Sequence, residues 1–196
     1  MAVPGTMENT PKRSPRPVWL VAAAVLAVVA AIGAVVFFLV NDSSDSATPS
    51  QATGATDTPP FVVSATGLAT IAGAVPDAIY WAGPRNAKLY ELTKAANGNV
   101  ILRYLPRGAD AGYKGKLLSV GTYPFKNAYS TAQRVMAKPD TVSVPVGGGA
   151  LAFHSAGSST NVYVVFPGIE AQVEVFSPKP GEAEQIVKAG EVVRIR

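Results

Sequence analysis

From Val18 to Val40 the chain runs for 23 residues without a charge. A helix rises ~1.5 Å per residue, so a segment of this length crosses the ~30 Å hydrocarbon core of a bilayer. One glycine, Gly33, is tolerable within it. Lys12, Arg13 and Arg16 stand before the run and Asp42 and Asp45 after it. Positive residues flank only the N-terminal side, which places the N-terminus in the cytoplasm. Trp19 falls at the cytoplasmic interface, where an amphipathic ring is favoured. A cleaved secretory signal shares the basic start, but its apolar core is ~7–15 residues. No small-x-small cleavage site follows this run directly. The reading is a signal-anchor: residues 1–17 a cytoplasmic tail, 18–40 a single-pass transmembrane helix in the plasma membrane, and the remainder extracytoplasmic.

Residues 41–60 hold eight Ser or Thr and three Pro with little apolar beyond Ala. Such a stretch buries too little to offset its ordering entropy, and is expected to be a disordered tether. As a flexible coil it would hold the domain ~25 Å from the bilayer. Asn41-Asp42-Ser43 matches a glycosylation acceptor, but it abuts the span and is read as chance.

Residues 61–196 are enough for one domain that buries about two-thirds of its unfolded surface without a metal or disulfide. The chain has no cysteine, which removes thiol catalysis, disulfides and thiolate metal sites. Short apolar or alternating runs read as strands at 78–81, 88–93, 100–105, 117–123, 141–146, 150–154, 161–166, 172–176 and 192–195. Asn97-Gly98 predicts a type I′ hairpin turn between two of them, because both residues accept positive φ. Three segments read as helices. Thr66 would cap the first, Asn127 the second, and Pro180, Glu182, Glu184, Lys188 and Gly190 mark the third. The expected fold class is α+β, an antiparallel strand-rich domain with about three short helices.

The two halves suggest one order twice, strand-strand-strand-helix-strand. Ala78–Gly83 would correspond to Ala152–Gly157, Leu89-Tyr90 to Val162-Tyr163, and Tyr104-Leu105-Pro106 to Phe176-Ser177-Pro178. Such a duplication would place the helices on one face of the sheet.

Tyr80-Trp81-Ala82-Gly83-Pro84, Tyr90-Glu91-Leu92-Thr93, Arg103-Tyr104-Leu105-Pro106 and Val173-Glu174-Val175 resemble an uncharacterised family of single-span, membrane-anchored exported proteins of high-GC Gram-positive bacteria. The resemblance covers most of residues 66–196. It implies an anchored, exported domain and brings no catalytic residue with it.

The chemistry-bearing residues are sparse. His154 is the single histidine, and without cysteine it cannot assemble a usual zinc site. Ser155 is its neighbour, but adjacent strand residues point to opposite faces. No Gly-x-Ser-x-Gly elbow occurs, nor any Ser-x-x-Lys in the exported part. Gly147-Gly148-Gly149 lacks the Lys and Ser or Thr of a phosphate loop and reads as a strand connection. Glu170, Glu174, Glu182 and Glu184 could supply a carboxylate pair for an envelope hydrolase, although strand and helix positions explain them structurally. No cofactor, metal or nucleic-acid partner is expected.

Charge is the informative asymmetry. From Arg85 to Lys138 there are ten Lys or Arg against Glu91 and Asp110, while the stretch after Lys138 is mildly acidic. Arg85, Lys88, Tyr90, Arg103, Tyr104, Arg107, Tyr113, Lys114 and Lys116 form the candidate binding surface, with cations for a polyanion and rings for stacking. The functional expectation is a non-enzymatic binding module whose partner is an envelope protein or, alternatively, an anionic wall polymer held by the basic half and the loop from Pro106 to Lys116.

Overall fold

In the computed structural model, which describes residues 57–76 and 78–195, the chain around Asn97-Gly98 turns back on itself as expected, but not as a two-residue turn. Gly98 alone takes a left-handed backbone (φ 86°), and the turn closes with Ala95 N–H on Asn99 O and Gly98 N–H on Ala95 O, both 2.9 Å. This hairpin joins β3 (Tyr90–Lys94) to β4 (Val100–Tyr104) in the register Glu91 opposite Arg103.

Every strand expected from the sequence is present. They are β2 (Tyr80–Trp81), β3, β4, β5 (Ser119–Pro124), β6 (Thr141–Ser143), β7 (Leu151–Ser155), β8 (Asn161–Val165), β9 (Ala171–Phe176) and β10 (Val193–Arg194). One strand was not expected: β1 (Thr58–Val63) begins inside the segment read as tether. Its Pro59-Pro60 pair argues against a strand, but β1 lies at a sheet edge, where a missing N–H is tolerated. The proposed span at 18–40 and the tether up to residue 56 lie outside the described residues. Among the described residues no helix is long and apolar enough to cross a membrane.

Eight strands form one antiparallel sheet in the order β1-β3-β4-β5-β9-β8-β7-β6, and β2 pairs with β10 as a separate ribbon. The helices are α1 (Ala65–Ala74), α2 (Ala128–Met136) and α3 (Glu182–Lys188). Ser64, not Thr66, caps α1, its hydroxyl accepting from Gly67 N–H at 3.2 Å. Asn127 stands at the start of α2 in a left-handed conformation (φ 56°) and makes no side-chain cap. The domain is α+β.

Strand alternation sorts the side chains. Tyr90, Leu92, Leu102, Val120, Val162, Val164, Val173 and Val175 point to one face and form a core with Leu68 of α1, Ala183, Ile186 and Val187 of α3, and Ile79, Tyr80, Val192 and Ile195 around the ribbon. Burial of these aliphatic side chains at about 1.5–3 kcal/mol each is the principal stabilising term. The Tyr104 hydroxyl ties the ribbon down, accepting from Ala82 N–H at 2.7 Å and donating to Gly83 O at 3.1 Å. Tyr104 and Trp81 both pack edge-on against the Tyr90 ring, and Tyr80 stacks on Phe166.

The buried residues of α2 (Ala128, Thr131, Ala132 and Val135) lie outside that core, against β6, β7 and β8 on the face carrying Phe153 and Tyr163. The helices therefore cover both faces, contrary to the one-face expectation. The order strand-strand-strand-helix-strand does occur twice, as β3-β4-β5-α2-β6 and β7-β8-β9-α3-β10. Sheet order matches β3 with β7 and β4 with β8, not the β3-with-β8 correspondence read from sequence. A central antiparallel pair such as β5–β9 can be related only by an axis normal to the sheet, which preserves faces. Because α2 and α3 sit on opposite faces, the repeated order does not produce a symmetric fold.

Candidate functional site

Glu91 and Arg103 share the sheet face opposite the main core. Arg103 Nη1 donates to Glu91 Oε1 at 2.6 Å, and Glu91 is nearly fully buried. The second guanidinium nitrogen, Nη2, donates to the carbonyls of Tyr113 and Gly115, each at 2.8 Å. Glu91 Oε2 accepts from Gly112 N–H. One buried ion pair thus holds three backbone groups of the connection between β4 and β5. Arginine suits this task because its planar fork presents several donors at fixed angles.

The consequence is a long basic loop fastened to the sheet. From it Arg107, Tyr113, Lys114 and Lys116 are exposed. Tyr113 retains 42% of its surface, and the Cε1–Cζ–Oη end of its ring fills the space beside Gly115, where an added Cβ would lie 2.2 Å from Cε1.

The nine residues of the expected surface do not form one surface. Tyr90 and Tyr104 are buried in the core on the opposite face, at 1% and 6% exposure. Burial raises both phenol pKa values. Arg85 pairs with Glu191 and donates to Ala82 O, so it secures the segment after β2. Arg103 is the clamp. Lys88 is exposed just before β3, and Leu105 N–H on Leu89 O brings that segment beside the start of the loop. Lys88, Arg107, Tyr113, Lys114 and Lys116 remain as accessible candidates.

Sequence reading assigned no role to Glu91, Gly112 or Gly115. The two-residue turn read at Asn97-Gly98 pairs position 91 with Tyr104, so the favoured acid–base cross-strand pair of Glu91 and Arg103 emerges only in the observed register.

A second polar cluster lies on the same sheet face. Glu174, on β9, is 2% exposed and stands opposite Gly121 of β5 and Tyr163 of β8. It accepts from Tyr123 Oη at 2.9 Å and Asn161 Nδ2 at 2.5 Å. The buried Tyr163 hydroxyl faces the carboxylate without hydrogen-bond geometry. Burial pushes the Glu174 pKa up, and hydrogen bonds from Asn161 and then Tyr123, together with the nearby Tyr163 hydroxyl, offset only part of that rise. Burial, and then the neighbouring carboxylate, raise the pKa values of Tyr123 and Tyr163. Gly121 makes the arrangement possible, because a Cβ there would lie 2.5 Å from the Tyr123 hydroxyl.

The four glutamates have different surroundings. Glu170 is exposed, whereas Glu174, four residues on, is buried and bonded to Tyr123 and Asn161. Glu182 accepts from the Ser177 hydroxyl and Glu184 pairs with Lys188 at 2.6 Å. His154 is buried with Nδ1 at 2.8 Å from Ser155 O. Among the described residues no three His, Cys, Asp or Glu side chains cluster to hold a metal.

Comparison with protein-family models, with curated proteins and with solved structures returns no match for this chain.

Proposed function

We propose that the domain is a non-enzymatic binding module, held outside the cytoplasmic membrane by an anchor helix at residues 18–40, that engages an anionic polymer of the cell envelope through the loop between β4 and β5. The observation that supports this reading is the clamp. Glu91 and Arg103 fix the loop backbone, so that Arg107, Lys114 and Lys116 are presented to solvent from a fastened rather than a floppy segment. Pre-ordering of this kind lowers the entropy lost on binding. Cations grouped on one loop attract a polyanion over about one Debye length, ~10 Å at 0.1 M salt. Asp110 is the loop's single acid.

The test is co-sedimentation of the detergent-solubilised chain with isolated cell-wall sacculi across a salt series. Binding at low salt that falls steeply as salt rises supports the reading, and an Arg107→Ala, Lys114→Ala, Lys116→Ala triple variant should lose it. Absence of sedimentation at low salt overturns it and redirects the search, by in-cell crosslinking, to a protein partner.

A further inference from the structure

Tyr113 is one of four large apolar side chains exposed among the described residues, with Leu89, Val142 and Val193, and it alone stands within the basic loop. Its position is built. The carbonyls of residues 113 and 115 are both gripped by Arg103, and Gly112 N–H is gripped by Glu91. Gly115 supplies the space that the far end of the ring occupies, since any side chain there would collide with it. Solubility gains nothing from a ring held out of the core, and the core on the opposite face does not use it. Lys114 and Lys116, both exposed, follow it in sequence.

An exposed aromatic ring on an ordered backbone attracts the apolar C–H face of a pyranose by dispersion and by its negative π-face. Ammonium groups carried by the next residues of the same loop suit a phosphate, sulfate or carboxylate carried by the same sugar. A bare polyphosphate offers only the charges, and a neutral glycan only the C–H face. We propose that Tyr113 is a sugar-stacking subsite and that the ligand class of this loop is an anionic glycan, one whose repeating unit joins a sugar ring to an acidic group. This rests on the reading of the loop as a polyanion site and makes it specific.

The experiment uses the full-length chain in detergent with three probes at low salt: dextran sulfate, inorganic polyphosphate and neutral dextran. The chain should bind dextran sulfate more tightly than polyphosphate of equal charge, and neutral dextran weakly or not at all. Tyr113→Ala should weaken dextran sulfate about tenfold and leave polyphosphate unchanged. Tyr113→Phe should retain the wild-type preference, because the ring does the stacking. Gly115→Ala, which displaces the ring while keeping it in the chain, should behave as Tyr113→Ala. If Tyr113→Ala leaves both polyanions unaffected while Lys114→Ala and Lys116→Ala weaken both, the charged loop stands and the sugar subsite falls. If Tyr113→Ala weakens both equally, the ring only shapes the loop and the subsite also falls. If the unsubstituted chain binds neither polyanion, the polyanion reading itself fails.

Discussion

Arg103 meets Glu91 across the β3–β4 pair at 2.6 Å and uses its second terminal nitrogen on the backbone of a loop ten and twelve residues further along the chain. Removing one partner of this pair therefore does two things. Arg103→Met leaves the Glu91 carboxylate buried without its counter-ion and frees two loop carbonyls. The expected loss is about 2–4 kcal/mol, lower than for a wholly buried pair because Arg103 is partly exposed. A urea titration measures it, and hydrogen exchange should show faster amides at residues 107–117. The Glu91→Gln, Arg103→Met double variant should recover part of the stability but not the loop protection.

Tyr104→Phe keeps the ring against Tyr90 and deletes the hydroxyl that serves Ala82 N–H and Gly83 O. Ala82 is 1% exposed, so its N–H is left without water as a substitute. The expected cost is about 1–3 kcal/mol. Denaturant unfolding followed by Trp81 fluorescence measures it, and an unchanged midpoint would show that the ribbon is held by its apolar contacts alone.

Glu174 gives the domain a signed pH dependence. Its pKa in the folded protein is raised above the ordinary 4.5, chiefly by burial. The folded state therefore holds the proton where the unfolded chain has released it, and stability falls with pH in that interval. The contribution is fully present below pH 4.5 and is lost as pH rises through the elevated folded value. Thermal midpoints of Glu174→Gln should lack this decline. A parallel slope in the variant and the parent would assign the dependence to another group.

Gly121→Ala places a methyl group within 2.5 Å of the Tyr123 hydroxyl and must push it from Glu174. Overpacking of this kind costs about 1–3 kcal/mol. Because Cε2 and Cζ of the ring also lie 2.7 Å from the added methyl, the loss should shrink only in a background that lacks the ring, Tyr123→Ala. Additivity in the four-member cycle would mean that the two residues do not communicate.

Ser158 is exposed in the turn between β7 and β8, and the chain has no native cysteine. With the orientation proposed from Lys12, Arg13 and Arg16, an impermeant thiol reagent should label Ser158→Cys in intact cells. Labelling only after lysis would reverse the topology.

The strands were legible because alternation and turn residues are local signals, and α+β follows from them. Two features were hidden for physical reasons. A two-residue turn at Asn97-Gly98 would set Glu91 opposite Tyr104, whereas the observed turn, with Gly98 alone left-handed, sets it opposite Arg103. One residue of register separates an unexplained acid from the clamp of the loop. Tyr90 and Tyr104 were grouped with the basic residues because sequence proximity does not reveal face: each lies next to a residue of the clamp, Glu91 or Arg103, and points the opposite way. Only Tyr113, from a loop, proved accessible, and the glycine that seats it carries no periodic signature.

The position of β1 sets how the domain would respond to mechanical load. Any tension transmitted from the chain before residue 57 meets Asp57, whose carboxylate accepts from Ala96 N–H, and then Thr58, in an outermost strand paired only with β3. Its irregular register and Pro59-Pro60 leave fewer cross-strand bonds to resist peeling than an unbroken strand of its length would have. Under pull, β1 should detach first, adding several residues to the extended chain while β3 through β9 and the loop clamp stay intact. The weakest seam thus lies at the N-terminal edge, outside the β3–β4 pair that carries the loop, so stretching would release β1 before it disturbed the loop.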